Sequence, residues 1–479
     1  MGDMKEAEIS LKVVIDREKS KSELSASRSD PSHQPVNIGS FNNLYASVAN
    51  LDAKYYATNE CKDMLLNTRN SAEALCCNLK INIDDTKPIQ YFICERLCFH
   101  IYSDHAAYLS TYSTLKCKSC GNFLSKAVHL NATDNDNKDD EGVFVADTSS
   151  FVISDDLRVI PNNPASTLAI LESIGIKDFD VLEENKLQLG PNEILNLLER
   201  TFLSKTPLSD IFFGKWTSSP VPTIQSPIGT EGTDSKKMTV KVFVQKSTNM
   251  ILLAHSSEDF IEFLFSFLTV PVGKVTSMLT ENHESKLSIE NMYKSVIELN
   301  VSEYLKSQHL KDMLLKPKLP MHHLCSNYIF PLMEETASKK FGIRCMPFSR
   351  GQYDYYLTAF SDSTMKLGRE CIDQSPKGEG GFVRGPTKFM VTDDLVVTPL
   401  SSMSCFTYFH RLKVAPGDIE EQVINIGMEE ALNLLWASLT STSVLTNGLK
   451  FFISKNRKQE TSPNKPKSDE SLKKVKVEK

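Results

Sequence analysis

The sequence predicts an α+β fold made of two tandem repeats, each combining β-hairpins with helices. Stretches with strand periodicity are followed by separate helical stretches, without the regular strand-helix alternation of a doubly wound sheet. Several sequence blocks also recur in the same order in both halves, which is typical of an internal duplication. Of the 479 residues, 41% are hydrophobic and 24% are charged, so we expect a folded protein with a substantial core.

Two hairpins and several helices can be assigned from periodicity. Residues 240–254 predict two strands joined at Ser247–Asn249, and residues 389–400 predict a hairpin that turns at Thr392–Asp394. Helices are predicted at 260–270, 289–299, 301–315 and 418–438. The first helix is almost entirely apolar and is too short to cross a bilayer, so we expect it to be buried.

The prediction of the last of these helices depends on one apolar face. Ile419, Val423 and Ile426 lie at helical spacing, and a further apolar series continues after Gly427. Asp418 stands at the position of an N-cap residue. The pattern therefore predicts one continuous helix.

The recurring blocks define the domain organisation. The first repeat covers residues 1–213 and the second covers 238–454, with a Pro-, Ser- and Gly-rich linker at 214–237. The Lys-rich residues 455–479 predict a disordered basic tail. The matching blocks are 11–15 with 240–244, 44–48 with 292–296, 61–66 with 310–315, 151–161 with 389–399, and 193–198 with 430–435.

The first repeat lacks a counterpart of residues 259–279, the most apolar segment of the second repeat. The polar, turn-prone residues 25–40 stand in its place. Because the missing segment is the one best able to bury apolar surface, we expect a thinner core that depends on the second repeat or on a partner. A truncated gene model would produce the same pattern.

A structural zinc site is predicted from four cysteines in two short loops: Cys94, Cys98, Cys117 and Cys120. Gly121 allows the chain to turn tightly after the second loop. Four thiolates brought together by an intervening hairpin would bind zinc tetrahedrally, as in a zinc ribbon, and such a closed site stabilises folding without catalysing a reaction. The first loop is longer than usual, so His100 or His105 could replace a cysteine, and thiols without metal are the alternative.

Two pairs of acidic residues are interpreted as turn residues. Asp155–Asp156 and Asp393–Asp394 occupy predicted hairpin tips, where aspartate accepts hydrogen bonds from nearby backbone amides. The Gly-rich residues 378–386, with Arg384 among them, resemble an anion-binding loop. They lead into a strand and not into a helix N-terminus, so a plain connector is favoured.

The standard motifs of hydrolases, metalloproteases, P-loop proteins and dinucleotide-binding proteins are absent from the sequence. His322, His323 and Cys325 are too closely spaced to surround one metal ion. We therefore predict that the two histidines lie at the surface.

Five longer blocks are specific enough to indicate a family. They are 240–244, 263–269 with Pro271 and Gly273, 311–317, 389–402 and 427–432. Together they resemble the plant family catalogued as domain of unknown function 674, over nearly the whole chain apart from the tail. The first half departs from that pattern by the missing apolar helix and by Ser154 and Arg158 in its hairpin. The resemblance implies a plant origin and two tandem repeats, and no activity comes with it.

The leading hypothesis is a non-enzymatic intracellular binding or scaffold protein that interacts with a protein partner or with itself. A net charge of -6 argues against a general attraction to nucleic acid or to a membrane surface. The alternatives are an enzyme of unfamiliar type that uses Asp393 and Asp394 with Arg384 in a cleft, or a zinc-ribbon nucleic-acid binder. The first residues lack the features of a secretory or transit signal, so a cytoplasmic location is expected, with the nucleus as the alternative.

Overall fold

A computed structural model gives the fold and describes residues 9–16, 38–83, 89–94, 107–130, 143–146, 149–213, 237–282, 287–325, 329–333, 340–348, 352–360, 369–378 and 380–460. Within these residues the chain forms a five-stranded sheet, a closed barrel and two two-stranded sheets, together with many helices. The predicted α+β class is confirmed. The linker residues 214–236 and the tail residues 461–479 lie outside the described part.

The strands and helices of the first half follow one another in the order β1 (Ile9–Asp16), α1 (Phe41–Asn50), α2 (Asn59–Leu66), α3 (Glu73–Cys76), β2 (Tyr91–Ile93), β3 (Ala107–Ser110), β4 (Lys126–Leu130), β5 (Phe151–Ile153), β6 (Val159–Pro161), α4 (Pro164–Ser173), β7 (Leu182–Leu189), α5 (Pro191–Leu203) and α6 (Pro207–Phe213).

The second half continues with β8 (Met238–Gln245), β9 (Ile251–Ser257), α7 (Glu258–Ser266), α8 (Val272–Asn282), α9 (Ser288–Glu298), α10 (Val301–Tyr304), α11 (Gln308–Leu315), β10 (Lys340–Phe348), β11 (Gln352–Phe360), β12 (Arg369–Asp373), β13 (Lys388–Thr392), β14 (Val397–Pro399), α12 (Ser402–Leu412), β15 (Ile419–Ile426), α13 (Met428–Thr440) and α14 (Val444–Glu460). Helix α14 thus continues into the segment predicted as a tail.

The five-stranded sheet lies in the second half and has the strand order β14–β13–β9–β8–β15. Both predicted hairpins are confirmed, as β8 with β9 and β13 with β14. Alternate residues of β8, Val240, Val242 and Val244, are buried against the core. The apolar helix α7 packs against β8, β9 and β13, and its residues from Phe260 to Ser266 are buried, as predicted.

The predicted helix over 418–438 is wrong in its first part. Residues Ile419–Ile426 form strand β15, which pairs with β8 along its whole length, and helix α13 begins only at Met428. Within the strand, Ile424 and Ile426 are buried whereas Val423 is 54% exposed, so the burial alternates with a period of two. The apolar spacing also fits a helix, and the local sequence does not reveal the distant strand β8 with which this segment pairs.

The barrel is built by both halves of the chain. Its strand order is β10–β11–β4–β2–β3–β12, so three strands come from each half. Strand β11 pairs in parallel with β4, and strand β12 pairs in parallel with β3. These two parallel pairs join the halves into one closed sheet.

Each half also contributes a helix that packs on the other half. Helix α1 of the first half packs against β14, and Ser47 Oγ accepts a hydrogen bond from the backbone amide of Val397 over 2.9 Å. Helix α9 of the second half packs against β6 in the first half, and Ser295 Oγ accepts from the amide of Val159 over 2.9 Å. Each hairpin is therefore covered by a helix from the other half.

Among the described residues, no helix has both the length and the apolar character that crossing a membrane requires.

Candidate metal centre

Three of the four predicted zinc ligands come together in the structure. The sulfur atoms of Cys94, Cys117 and Cys120 all lie within 4.8 Å of one another, and those of Cys94 and Cys120 are 3.3 Å apart. A zinc–sulfur bond is about 2.3 Å long, so tetrahedral coordination separates two sulfurs by about 3.8 Å. The spacing of the three thiols therefore fits a shared metal ion.

A tight loop between β3 and β4 positions two of these thiols. The backbone amide of Gly121 donates to the carbonyl oxygen of Cys117 over 2.8 Å, and the amide of Cys117 donates to Asn122 over 2.7 Å. Gly121 has a φ of +74°, a left-handed conformation that favours glycine. The sequence signal of glycine after the last cysteine thus reflects a real conformational requirement.

The cluster sits beside a small apolar core. Cys94 directly follows β2, and it packs with Cys117, Leu115 and Leu124 in a group of buried residues. Leu124 also donates its amide to the carbonyl oxygen of Leu115 over 2.8 Å, which closes the base of the loop. Because Cys94 and Cys117 are buried and Cys120 is exposed, the cluster lies at the edge of this core.

The pKa of the Cys120 thiol is lower than that of an ordinary cysteine. Burial acts to raise the pKa of Cys120, but hydrogen bonds from the backbone amide of Asn122 and from the thiols of Cys94 and Cys117 outweigh it, so the pKa is lowered. Thiolates, and not thiols, bind metal ions. The local hydrogen bonds therefore favour the form of Cys120 that a metal requires.

The fourth predicted ligand, Cys98, lies outside the described residues. So do His100 and His105, the two residues that could replace a cysteine. All three belong to residues 95–106, which connect β2 to β3. Because Cys94 directly follows β2 and belongs to the cluster, this connection starts at the site.

The second acidic pair, Asp393–Asp394, serves the fold at a hairpin tip. The carboxylate of Asp393 accepts hydrogen bonds from the backbone amide and the hydroxyl of Thr446, over 2.7 and 3.0 Å, at the start of α14. Burial raises the pKa of Asp393 to about 6. Asp394 accepts a hydrogen bond from the hydroxyl of Thr392 within the same turn.

The first acidic pair makes the same kind of contacts. The carboxylate of Asp155 accepts from the backbone amide and hydroxyl of Ser209, over 2.8 and 2.7 Å, near the start of α6. Asp156 is paired with Arg158, whose Nη2 lies 2.8 Å from the carboxylate. Both pairs therefore act as turn and helix-cap residues, which confirms the structural interpretation.

The Gly-rich loop binds the buried carboxylate of Glu262. The backbone amide of Val383 donates to the carboxylate of Glu262 in α7, and a Cβ atom added at Gly381 would lie 2.4 Å from Glu262 Oε1. Arg384 donates to the carbonyl oxygen of Ala57 over 3.2 Å. The prediction of a connector is borne out, and the loop amide that an anion would use is bound by a side chain of the protein.

The prediction of two surface histidines is wrong for His323. Its side chain is 4% exposed, and Nδ1 lies 3.2 Å from the carbonyl oxygen of Met321. The neighbouring Cys325 is also buried and donates its thiol proton to Glu262 over 3.2 Å. This segment contacts α7 through the hydrogen bond of Cys325 to Glu262, and a contact between residues so far apart in the chain is not indicated by the local sequence.

This buried group has shifted pKa values. Burial raises the pKa of Glu262 and lowers the pKa of His323 to about 4. Lys377 donates to the carbonyl oxygen of Leu324 over 2.6 Å and adds a nearby positive charge. The sequence signal for this cluster was Glu262 itself, the one charged residue in the mainly apolar run 260–270.

These features define an α+β protein with interlocked halves and a three-cysteine cluster suited to a metal ion. The family model described as "Protein of unknown function (DUF674)" matches residues 24–429, and the chain belongs to this family. No curated protein and no solved structure matches the chain.

Proposed function

We propose that the chain is a non-enzymatic binding or scaffold protein whose first half is stabilised by a structural zinc ion. The observation that carries the proposal is the convergence of Cys94, Cys117 and Cys120 beside a small core. The groups considered for catalysis bind the protein itself: Asp393 caps a helix and Arg384 binds a backbone carbonyl. These contacts favour a structural use of the polar residues over the alternative of an enzyme.

The cysteine cluster supplies three of the four ligands that a closed zinc site needs. Cys98 is the proposed fourth ligand, with His100 or His105 as substitutes, since the connection that contains them starts at the cluster. When bound, zinc would hold the end of β2 against the loop between β3 and β4. Such a site contributes directly to folding, because the unfolded chain cannot assemble it.

We also propose that residues 1–213 and 238–454 are two copies of one duplicated module. Side-chain contacts at matching positions support this. Lys62 donates to the carbonyl oxygens of Ala49 and Leu51 at the end of α1, and Lys311 donates to those of Ile297 and Leu299 at the end of α9. The caps made by Asp155 and Asp393 on the last helix of each half match in the same way.

Backbone pairing gives independent support. Strand β1 pairs with β7 as β8 pairs with β15, antiparallel from end to end in both cases. Helices α5 and α13 follow β7 and β15, and both start with the same cap. Glu193 accepts a hydrogen bond from the amide of Gly190 over 2.8 Å, and Glu430 accepts from Gly427 over 2.9 Å.

A cytoplasmic location fits this proposal. Cys94, Cys117 and Cys120 are not joined in disulfides, and a reducing compartment keeps such thiols available for a metal ion. The interlocked halves would present a shared surface to a protein partner or to a second copy of the chain.

Elemental analysis of the purified chain by mass spectrometry tests the zinc site. We expect one zinc ion per chain, and we expect Cys117→Ser and Cys120→Ser to lose it. Cys77→Ser is the matched control, because Cys77 is an exposed thiol away from the cluster. A metal-free chain that unfolds cooperatively at the same temperature with or without added zinc would contradict the proposal.

A screen of small metabolites tests the non-enzymatic role. We expect no saturable binding of a single small molecule in a cleft. Binding with micromolar affinity, abolished by Asp394→Asn in a folded variant, would favour the enzyme instead.

A further inference from the structure

The two halves differ in the completeness of their sheets. In the second half, β9 lies between β13 and β8 and pairs antiparallel with both. The matching strands of the first half are β5 and β1. In the part of the chain that the structure describes, β5 pairs only with β6 and β1 pairs only with β7. No described strand takes the place of β9 in this half.

The flanking strands are anchored as in the complete sheet. Asn291 in α9 donates to the carbonyl oxygen of Asp156 over 2.8 Å, as Asn43 in α1 donates to Asp394 over 2.9 Å. The carboxylate of Asp155 caps α6 as that of Asp393 caps α14. Strand β7 also leads into α5 through the same cap as in the second half. By this correspondence the position between β1 and β5 is that of one strand, which in a sheet takes up about 10 Å between its two neighbours.

The apolar side chains on one face of β1 are less buried than their counterparts in β8. Leu11, Val13 and Ile15 in β1 are half-buried, whereas Val240, Val242 and Val244 in β8 are at most 1% exposed. Since the two sets have the same spacing and similar side chains, the difference is due to what covers them.

The same contrast holds at β5 and α9. Ile153 is 42% exposed, whereas its counterpart Val391 is fully buried. Met292 and Val296 in α9 are half-buried, whereas Leu44 and Val48 in α1 are fully buried where α1 packs against α7. The described part of the first half thus leaves these apolar side chains partly exposed, whereas β9 and α7 cover their counterparts in the second half.

We infer that the position between β1 and β5, which no described strand fills, binds a segment of a partner protein that forms an extended strand followed by an apolar helix. This inference rests on the proposed binding role and names its surface. The strand would pair antiparallel with both edges, as β9 does, and its backbone hydrogen bonds would supply affinity. Its alternate apolar side chains and the helix would cover the half-buried residues of β1, β5 and α9.

The chain's own segments are poor candidates to fill the position between β1 and β5. Its own strand-helix segment, β9 with α7, is buried in the second half, so donating it to another copy would expose as much apolar surface as it covers. Residues 17–37 follow β1 directly, but Leu24 and Val36 are their only large apolar residues. A partner of different sequence is therefore the occupant that the composition favours.

The probe is a fluorescent peptide with the sequence of Met250–Glu258, the strand that fills the equivalent position in the second half. Fluorescence anisotropy with the full-length chain should show saturable binding in the micromolar range. The same peptide with Ala254→Pro should bind at least about tenfold more weakly, because proline removes a backbone donor and disrupts the ladder.

Two variants of the chain locate the site. Ile153→Lys should weaken peptide binding about tenfold, since it places a charge in the apolar space. Val14→Lys is the matched control, because Val14 is 57% exposed on the opposite face of β1, and it should leave binding unchanged. Circular dichroism would show that both variants remain folded.

Three results would overturn the inference: no saturable binding, binding that Ile153→Lys does not affect, or binding that occurs only after residues 17–37 are replaced by a Gly-Ser linker. The last result would show that the chain fills its own gap. Zinc content measured on the same samples separates the two proposals. If the chain retains zinc but does not bind the peptide, only the proposed binding surface is contradicted. If the chain binds the peptide but never takes up zinc, only the proposed metal site is contradicted.

Discussion

The side-chain amide of Asn43 donates to the backbone carbonyl oxygen of Asp394 over 2.9 Å and so ties the first helix of one half to a hairpin of the other. Asn291 makes the converse contact with Asp156 over 2.8 Å. The pair of contacts shows that each half supplies a helix to the other. The two halves are therefore in direct contact through these helices, although the sequence predicts a linker between them.

The two helix caps should stabilise the protein to a similar extent. Asp393→Ala and Asp155→Ala each remove a carboxylate that accepts two hydrogen bonds near a helix start. We expect each to lower the free energy of unfolding by about 1 kcal/mol, measured by urea denaturation. Asp180→Ala, at an exposed position, is the control. Unchanged stability in both cap variants would show that these contacts are not used as caps.

Gly381 should not tolerate a side chain. A Cβ atom there would lie 2.4 Å from Glu262 Oε1, and the carboxylate cannot move without losing its hydrogen bonds to Val383 and Cys325. We expect Gly381→Ala to cost about 1–3 kcal/mol, seen as a lower Tm.

Its neighbour Gly380 provides the matched control, since a Cβ atom there would meet nothing closer than 3.7 Å. Gly380→Ala should change the stability by less than about 0.5 kcal/mol. Equal Tm values for the two variants would mean that Glu262 does not hold this loop.

Buried His323 should make the protein less stable as the pH falls. Burial, with the nearby charges of His322 and Lys377, lowers the pKa of His323 to about 4. Between about pH 6.5 and pH 4 the unfolded chain binds a proton that the folded chain does not, so the free energy of unfolding falls with falling pH. Asp393 acts in the opposite direction: burial raises its pKa to about 6, so its contribution is lost as the pH rises through that value.

Comparison of variants isolates the histidine. His323→Asn should have a smaller loss of Tm between pH 7 and pH 5 than the parent chain, whatever its Tm at pH 7. His309→Asn, at an exposed position, should keep the parent's pH dependence. The same slope in the parent and in His323→Asn would rule out a buried neutral histidine.

Local features of the fold could be predicted from the sequence. The hairpin of β8 and β9 follows from alternating apolar residues and turn formers, and burial of α7 follows from its apolar composition. The roles of Asp155 and Asp393 follow from the turn chemistry of aspartate. Each of these features depends on residues close together in the chain, so the local sequence pattern is sufficient to predict it.

Features that depend on distant partners could not be predicted. Strand β15 is set by pairing with β8, and the Gly-rich loop is held by Glu262 in a helix far from it in the sequence. The burial of His323 has the same origin. At the candidate metal centre the cysteine spacing predicted that Cys94, Cys117 and Cys120 come together, because β2 pairs with β3 and β4 and so places Cys94 beside the loop that holds the other two.

Splitting the chain within the linker tests most directly whether each half is completed by a helix of the other. Fragments 1–225 and 226–479 should each lack a cooperative thermal transition when expressed alone. When they are co-expressed, we expect them to purify as a complex that unfolds in one transition close to that of the intact chain. A fragment 226–479 that folds alone with the Tm of the intact chain would contradict the interlocked fold.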